Sequence, residues 1–247
     1  MNIKEIVQTP YTMNPRFKPV DNVVLKEYTD DLYNERNFEF KTLSDEMCFE
    51  SYIARQESLV EKTSKAMQLT DEPFYSIEEM GLEIPDDIII MHKGKVEAGF
   101  VAMASGWNPG KVQGLTLEDV HQAVADSEML RKASDGIWRA MTSGSSYERY
   151  TWGISPLGSL SNHPSYTRPN FNKLDDLYFR VEHERTLTVD KDTAAFFIDV
   201  EVHSLSSIFH LKHEYKNLIK DSINSMTDNV LQYKNLVKVK ELINESN

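Results

Sequence analysis

Five short stretches of the chain carry the hydrophobic pattern of β-strands. Asp86–Met91 and Val96–Met103 are apolar runs on either side of His92-Lys-Gly-Lys95, where Gly94 allows the positive φ of a tight hairpin turn. The other three are Glu148–Ile154, Leu177–Val189 and Ala194–Val202, and the last contains the alternating run Phe197-Ile-Asp-Val-Glu-Val. The pattern predicts a hairpin followed, after an interval, by three more strands.

Helical periodicity lies before, between and after these strands. It predicts helices over Ser44 to about Gln68, Thr116–Asp126, Glu128–Met141 and Ser206 to about Glu245. The apolar stripe of the last helical region is Ile208, Leu211, Tyr215 and Leu218. Residues 1–30 are expected to be irregular, because Pro10, Pro15 and Pro19 are too closely spaced for a helix.

The order of these elements indicates an α+β fold. Two strands, then helices, then three strands is the order of a PAS-like fold, in which a five-stranded antiparallel sheet cups a ligand against helices. We expect a single domain over residues 1–247, since this length suits one sizeable core. It would comprise an irregular and helical N-terminal region (1–85), a sheet and ligand-binding core (86–205) and C-terminal helices (206–247).

One histidine stands out within the helical interval. Thr116 and Asp119 form a capping-box-like helix start, and Leu117, Val120 and Val124 make an apolar stripe beside His121. This spacing predicts that His121 points towards the core or a cavity. Two interpretations stay open: a buried histidine whose ring nitrogens are satisfied by neighbours, or an axial metal ligand or catalytic base.

Composition narrows the class of protein. The net charge of −12 and the pI near 5.1 argue against a nucleic-acid partner. We expect no membrane span and a cytoplasmic location, because no apolar run approaches about 20 residues and the first residues lack a secretory signal. The single cysteine, Cys48, excludes an intrachain disulfide, a four-thiolate iron–sulfur cluster and covalent C-x-x-C-H haem attachment.

Four motifs, in order along the chain, carry a resemblance to a known family. Ser105-Gly-Trp107, Lys111, Gly114 and His121 resemble the S-G-W-x-P-x-x-K-x-G…I-H pattern of the haem-dependent oxidative N-demethylase-like proteins. The remaining matches are Arg149-Tyr-Thr-Trp152 to R-x-N-W, Phe179–Leu187 to L-R-x-E-R-Q-T-L, and Pro10-Tyr-Thr-Met13 to P-Y-x-M.

The resemblance implies non-covalent haem b in a PAS-like core. It implies oxidation of a small secondary alkylamine with O2, giving formaldehyde and a primary amine, with electrons from a separate reductase. His121 would coordinate the iron, and Glu182 would accept from the substrate ammonium, with Arg185 as the second catalytic candidate. The candidates for the other haem contacts are Trp107, Lys111, Arg149 and Arg180, with Arg185 a further cation for the propionates.

The chain also departs from the family pattern. His121-Gln-Ala-Val-Ala replaces H-x-P-V-P, Thr151 replaces the Asn of R-x-N-W, and Glu182-His-Glu-Arg-Thr-Leu is one residue longer than E-R-Q-T-L. A second function therefore stays open: a PAS-like protein that binds haem or a small ligand without turnover. Both functions predict a Soret band on haem addition, and only the first predicts formaldehyde.

Simpler roles remain open for several of these residues. Trp107 and Trp152 are also consistent with ordinary core aromatics. Arg149, Arg180 and Arg185 are equally consistent with surface ion pairs. His183 is the second candidate for iron. His203, His210 and His213 suggest a metal site by spacing, but His210 and His213 lie off the apolar stripe, so we expect them to be solvated.

Overall fold

The computed structural model describes residues 2–68 and 72–246, which form one antiparallel seven-stranded sheet with helices packed on it. The sheet order is β1-β5-β6-β7-β3-β4-β2. Its strands are Lys18–Val20 (β1), Cys48–Glu50 (β2), Asp87–His92 (β3), Lys95–Phe100 (β4), Ser146–Ser155 (β5), Tyr178–Asp190 (β6) and Thr193–Ser204 (β7).

The five predicted strands are β3 to β7, and the α+β class is confirmed. The expectation of a five-stranded sheet is wrong, because β1 pairs with β5 at one edge and β2 pairs with β4 at the other. These edge strands have three residues each, too few for an alternating pattern to be visible in the sequence. The β3–β4 hairpin turns at Lys93 and Gly94, whose φ angles of 49° and 79° are typical of a type I′ turn.

The sheet has two differently covered faces, since successive residues of a strand alternate and directly paired residues share a face. The packed face, as we call it, carries Ile88, Phe100, Phe197, Phe179 and Trp152, all nearly or fully buried. The opposite face, called the His121 face, carries Phe196, Glu182, Glu184 and Arg149.

The N-terminal helices differ from the single predicted helix over residues 44–68. They are α1 (Ile3–Ile6), α2 (Asp30–Met47), α3 (Tyr52–Gln56), α4 (Leu59–Met67) and α5 (Ile77–Glu83). The predicted helix is interrupted because Cys48–Glu50 pairs with β4 and Ser58 adopts a left-handed φ of 52°. The hydrophobic pattern does not reveal the first part of α2, because the side chains buried there include the charged residues Arg36 and Glu39.

The segment between β4 and β5 holds three short helices and packs on the His121 face. They are α6 (Leu117–Val120), α7 (Glu128–Lys132) and α8 (Ser134–Met141), preceded by a 3-10 turn at Pro109–Val112. The prediction of a helix to Asp126 is wrong. Asp126 takes a φ of 52° and its carboxylate accepts from Thr227 and Asn229 of the C-terminal region, which turns the chain away from a helical course.

The C-terminal helical region is confirmed, in four pieces. They are α9 (Leu205–Leu211), α10 (His213–Asn224), α11 (Asp228–Tyr233) and α12 (Val237–Glu245). Ile208 and Tyr215 are buried as predicted, but Leu211 is 61% exposed, because the extended backbone at Lys212 breaks the stripe between α9 and α10. This region, α1 and a 3-10 turn at Leu174–Asp176 pack against Trp152 and Phe179.

Candidate functional site

The loop after β4 is tied to the sheet by Arg180. This buried guanidinium donates to the Ser105 hydroxyl and to the Met103 carbonyl oxygen, and burial lowers its pKa. The backbone of Asn162 holds the same loop, through hydrogen bonds with Ala104 and Gly106 of 2.8 and 3.0 Å. Arg180 therefore positions the start of the segment that leads to His121.

His121 stands at the C-terminal end of α6. The predicted capping box is present, because the Thr116 hydroxyl accepts from the Asp119 amide and the Asp119 carboxylate accepts from the Thr116 amide. Nδ1 of His121 lies 2.6 Å from the carbonyl oxygen of Leu117. A carbonyl oxygen can only accept, so Nδ1 carries the proton and Nε2 is the basic nitrogen.

The ring of His121 is half-buried, and its Nε2 has no hydrogen-bond partner among the described residues. Burial lowers the pKa of His121, the nearby Arg149 cation adds to this, and the Leu117 carbonyl opposes it. The ring is accordingly neutral at neutral pH, the protonation state that a metal requires.

Arg149 and Glu184 face each other across β5 and β6. The Arg149 Nε donates to the Glu184 carboxylate, and the guanidinium lies over the Phe17 ring at 5.2 Å. Glu184 is only 5% exposed. Burial raises the pKa of its carboxyl while Arg149 opposes the rise, so the pair is a buried ionic contact beside His121.

A second cross-strand pair adjoins the first. Thr151 and Glu182 are directly opposite, and the Thr151 hydroxyl donates to Oε2 of Glu182 over 2.9 Å. Glu182 is half-buried, and its Oε1 has no hydrogen-bond donor among the described residues. This carboxylate can therefore accept a further hydrogen bond on the His121 face.

Apolar side chains surround the helical segment that carries His121. Trp107, Leu117, Val120, Trp138 and Phe196 belong to one cluster and are all half-buried. The cluster packs on Met91, Val96 and Ala194 of the sheet. Trp107 thus lies on the His121 face, next to the histidine's own helix.

The structure does not bring every predicted site residue to this place. Lys111 is exposed in the 3-10 turn and has no side-chain partner among the described residues. Arg185 lies on the packed face, where it donates to the Val24 carbonyl oxygen and its Nη2 lies 2.7 Å from the Asp86 carboxylate. Arg185 and Glu182 therefore point to opposite sides of β6.

His183 also lies on the packed face. Its ring stacks on Tyr150, and Nε2 is 2.8 Å from the Glu148 carboxylate. It lines a cavity of about 120 Å³, well below the roughly 300 Å³ at which cofactor pockets begin. A second hollow, of about 400 Å³, lies between α11 and α12, and neither touches His121.

His210 and His213 are exposed, in agreement with the expectation for them. Within residues 2–68 and 72–246, no three His, Cys, Asp or Glu side chains are grouped so that they could hold a metal ion. Over the same residues, no helix has the length and apolar character needed to cross a membrane.

Two residues near the site, Glu184 and Phe17, were not predicted from the sequence. Glu184 lies in the matched motif Phe179–Leu187 but was given no role, and the strand register shows it opposite Arg149. The parity of residues along β6 was the available signal, because Glu182 and Glu184 share a face that excludes His183 and Arg185. Phe17 lies in a segment without periodicity, and nothing in the sequence indicated its contact with Arg149.

Comparison with known proteins supports the resemblance noted above. The model of the family described as haem-dependent oxidative N-demethylase, alpha subunit-like, matches residues 4–244, nearly the whole chain. A search among curated proteins finds no significant match.

Proposed function

Because the chain belongs to the haem-dependent oxidative N-demethylase, alpha subunit-like family, we propose that it binds haem b non-covalently on the His121 face. We propose further that it oxidises a small secondary alkylamine with O2, releasing formaldehyde and a primary amine. A separate reductase supplies the electrons, since one cysteine cannot hold an iron–sulfur cluster and no dinucleotide glycine motif is present.

The observation that carries the proposal is the state of the His121 ring. Its Nδ1 proton is held by the Leu117 carbonyl, its Nε2 has no partner among residues 2–68 and 72–246, and its pKa is lowered. Histidines that ligate metals commonly donate their other N–H to a carbonyl or carboxylate, which fixes the tautomer and the orientation of the ring. His121 therefore has the features of an axial ligand, and the polar-neighbour interpretation accounts for only one of its nitrogens.

The surrounding residues fit a haem and an amine. Trp107, Trp138 and Phe196 offer apolar surface for a porphyrin, and Arg149 and Arg180 are the cations near the ring of His121 and its loop. Bound haem would supply the iron at which O2 is activated. The free Oε1 of Glu182 accepts from the substrate ammonium, while Thr151 holds Oε2 and fixes the orientation of the carboxylate.

The arrangement of elements supports a PAS-like core for this site. A β-hairpin, three short helices and three long antiparallel strands follow one another, and the helices pack on the His121 face of the sheet. A ligand between that sheet face and those helices would occupy the place that a PAS-like fold uses. The apolar cluster that includes Trp107, Trp138 and Phe196 lies between these helices and the sheet, so a porphyrin bound there would contact these side chains.

One observation favours the second function, haem or ligand binding without turnover. The two predicted catalytic residues are separated, because Arg185 is engaged with Asp86 on the packed face. If catalysis needs Glu182 and Arg185 together, the chain would bind haem and produce no formaldehyde.

Hemin reconstitution tests the ligand assignment. The wild-type protein should bind about one hemin per chain, with a Soret shift that acid–acetone removes. His121→Ala should change the Soret position and spin state, with partial recovery on addition of imidazole. His210→Ala, an exposed histidine on α9, is the matched control. Loss of the native spectrum in His183→Ala but not in His121→Ala would contradict the assignment.

The same spectra test the protonation argument. Because the folded pKa of His121 lies below its ordinary value of 6.5, hemin binding should persist below pH 6.5 and be lost only as the pH falls through the lowered pKa. Turnover is tested with dimethylamine, O2 and an added reductase, with formaldehyde as the measured product. NADH or NADPH alone should give none.

A further inference from the structure

A buried carboxylate, that of Asp87, bonds directly to the backbone of the loop that follows β4. Asp87 is the first residue of β3 and is 1% exposed. Its Oδ1 accepts from the amide of Ala102 over 2.9 Å, and its Oδ2 accepts from the amide of Met103 over 2.8 Å. Two successive amides of the loop are thus held by one side chain.

Met103 is held on its other side by Arg180. The carbonyl oxygen of Met103 accepts from Nη2 of Arg180, and Nε of the same guanidinium donates to the hydroxyl of Ser105. Arg180 is 5% exposed, and its third nitrogen, Nη1, has no hydrogen-bond partner among the described residues. Because a guanidinium is planar and rigid, the two bonds that the loop accepts also fix the direction of Nη1.

The space beside Arg180 on the sheet is open. Arg180 is paired with Gly153 of β5, and a Cβ placed on Gly153 would meet no atom within 4 Å. Glu182, two residues further along β6, lies on the same face. Arg180 therefore borders an open part of the His121 face, where an anionic group could reach its unpaired nitrogen.

The charge of Asp87 is needed for this arrangement. A third donor converges on its two oxygens, since Nη1 of the fully buried Arg36 lies 2.8 Å from Oδ1. Burial raises the pKa of the Asp87 carboxyl, while Arg36 and the two loop amides oppose the rise. A carboxylate accepts from all three donors, whereas an amide side chain has one acceptor oxygen and turns an N–H group towards one of them.

We propose that Asp87 is a positioning residue: through Met103 it sets the orientation of Arg180, and with it the nitrogen offered to a haem propionate on the His121 face. The propionate part rests on the proposed function. The part that concerns Arg180 rests only on the contacts that Met103 makes with Asp87 and Arg180.

Asp86 is the matched control. It is adjacent in sequence, is also 1% exposed, and is also paired with a buried arginine, because its Oδ2 lies 2.7 Å from Nη2 of Arg185. Its carboxylate makes no hydrogen bond to the described residues 101–107. Asp86→Asn and Asp87→Asn each break one buried ion pair, but only Asp87→Asn disturbs the bond to Met103.

The test is NMR of the arginine Nε–H groups in the full-length protein without haem, with the Arg180 signal assigned from Arg180→Lys. Asp87→Asn should shift the Arg180 signal and speed its exchange with solvent. Asp86→Asn should shift the Arg185 signal and leave that of Arg180 unchanged. An unchanged Arg180 signal in Asp87→Asn, or equal changes of that signal in both variants, would overturn the proposal.

A second pair of variants applies if circular dichroism shows that Asp87→Asn does not fold. Arg36→Met/Asp87→Asn and Arg185→Met/Asp86→Asn each remove both charges of one ion pair, so that neither leaves an unpaired buried charge. The Arg180 signal should move in the first double variant alone, and equal signals in the two would contradict the role of Asp87.

Hemin titration tests the propionate part. Residues that orient the contacts of a metal centre typically account for about 10–100-fold in affinity, so Asp87→Asn should bind hemin at least about tenfold more weakly than Asp86→Asn. Equal hemin affinity in the two variants would overturn this part. A wild-type protein that binds no hemin would contradict the proposed function instead, and the Nε–H signals would still decide the role of Asp87.

Discussion

At the scale of single residues, the buried contact between Arg149 and Glu184 joins stability to the candidate site. A buried carboxylate that loses its partner keeps the cost of desolvation without the compensating charge. Glu184 has this dependence on Arg149, because burial already raises the pKa of its carboxyl and Arg149 is the group that lowers it.

We expect Arg149→Met to lower the free energy of unfolding by about 3–5 kcal/mol at pH 7. Because the Glu184 pKa would rise further, the loss should shrink as the pH is lowered and the carboxyl takes up a proton. Urea unfolding at pH 7 and pH 5 measures both effects. Arg149→Met/Glu184→Gln should recover part of the loss, and Arg139→Met, on the exposed surface of α8, is the control.

Asp86 gives a separate pH dependence on the packed face. Burial raises its pKa to about 6, against the opposing effect of Arg185. The folded state therefore binds a proton that the unfolded state has lost between its ordinary pKa of 3.8 and about 6, so this group's contribution to stability falls as the pH rises through that window.

The decrease in the free energy of unfolding that Asp86 contributes between pH 4 and pH 6.5 should therefore be absent in Asp86→Asn. In the wild-type protein, NMR should show the Asp86 carboxyl titrating near pH 6. An Asp86 carboxyl that titrates near or below 3.8 would show that Arg185 fully offsets the effect of burial and would contradict this prediction. Asp45, which is not in contact with Arg185, serves as the reference carboxyl.

At the scale of elements, α6 is a short helix whose start determines the place of His121. Thr116→Ala removes the capping hydroxyl and should cost about 1 kcal/mol. Hemin affinity should fall as well, because the orientation of Leu117 and His121 depends on that turn. Thr29→Ala, at the start of α2, removes a capping hydroxyl on a helix that contributes nothing to the apolar cluster around α6. Equal hemin affinity in the two variants would separate the cap from the site.

The elements that could be predicted are those whose pattern repeats over enough residues. The strands β3 to β7 and the C-terminal helices were visible because alternation or a helical stripe runs through them. The helix α2 was missed where Arg36 and Glu39 occupy buried positions: the guanidinium of Arg36 lies 2.8 Å from the Asp87 carboxylate, a partner distant in sequence. The left-handed turn at Asp126, where the predicted helix was expected to end, is accompanied by a hydrogen bond from Thr227, which is equally distant in sequence.

The candidate site was partly visible for a related reason. The capping box and the stripe are local, so His121 could be placed from Thr116 and Leu117 alone. The separation of Glu182 from Arg185 follows from their odd spacing along the predicted strand Leu177–Val189, but which face of that strand adjoins His121 depended on the packing of distant elements.

At the scale of the whole molecule, charge is unevenly distributed. Residues 27–87 contain 17 of the 39 acidic residues and 5 of the 27 basic ones, so this segment alone has the entire net charge of −12. The rest of the chain is balanced. The segment includes α2 to α5, whose like charges repel one another.

Salt should therefore stabilise the protein, because it screens this repulsion: the Debye screening length falls to about 3 Å at 1 M salt. We expect the free energy of unfolding to rise with sodium chloride concentration, and amide hydrogen exchange to slow in α2 to α5. The amides of α10 provide the internal reference, since they lie outside the acidic segment. Uniform slowing throughout the chain, or faster exchange in α2, would contradict this account.

The strand β6 separates the candidate site beside His121 from the cavity that His183 lines on the packed face. Even-numbered residues Glu182 and Glu184 belong to one side, and odd-numbered Val181 and His183 to the other. A substitution at one of these positions therefore alters one face of the sheet and leaves the other unchanged. Insertion or deletion of one residue moves every later side chain of the strand to the opposite face of the sheet. A motif that is one residue longer therefore places the residues after the insertion on the other face.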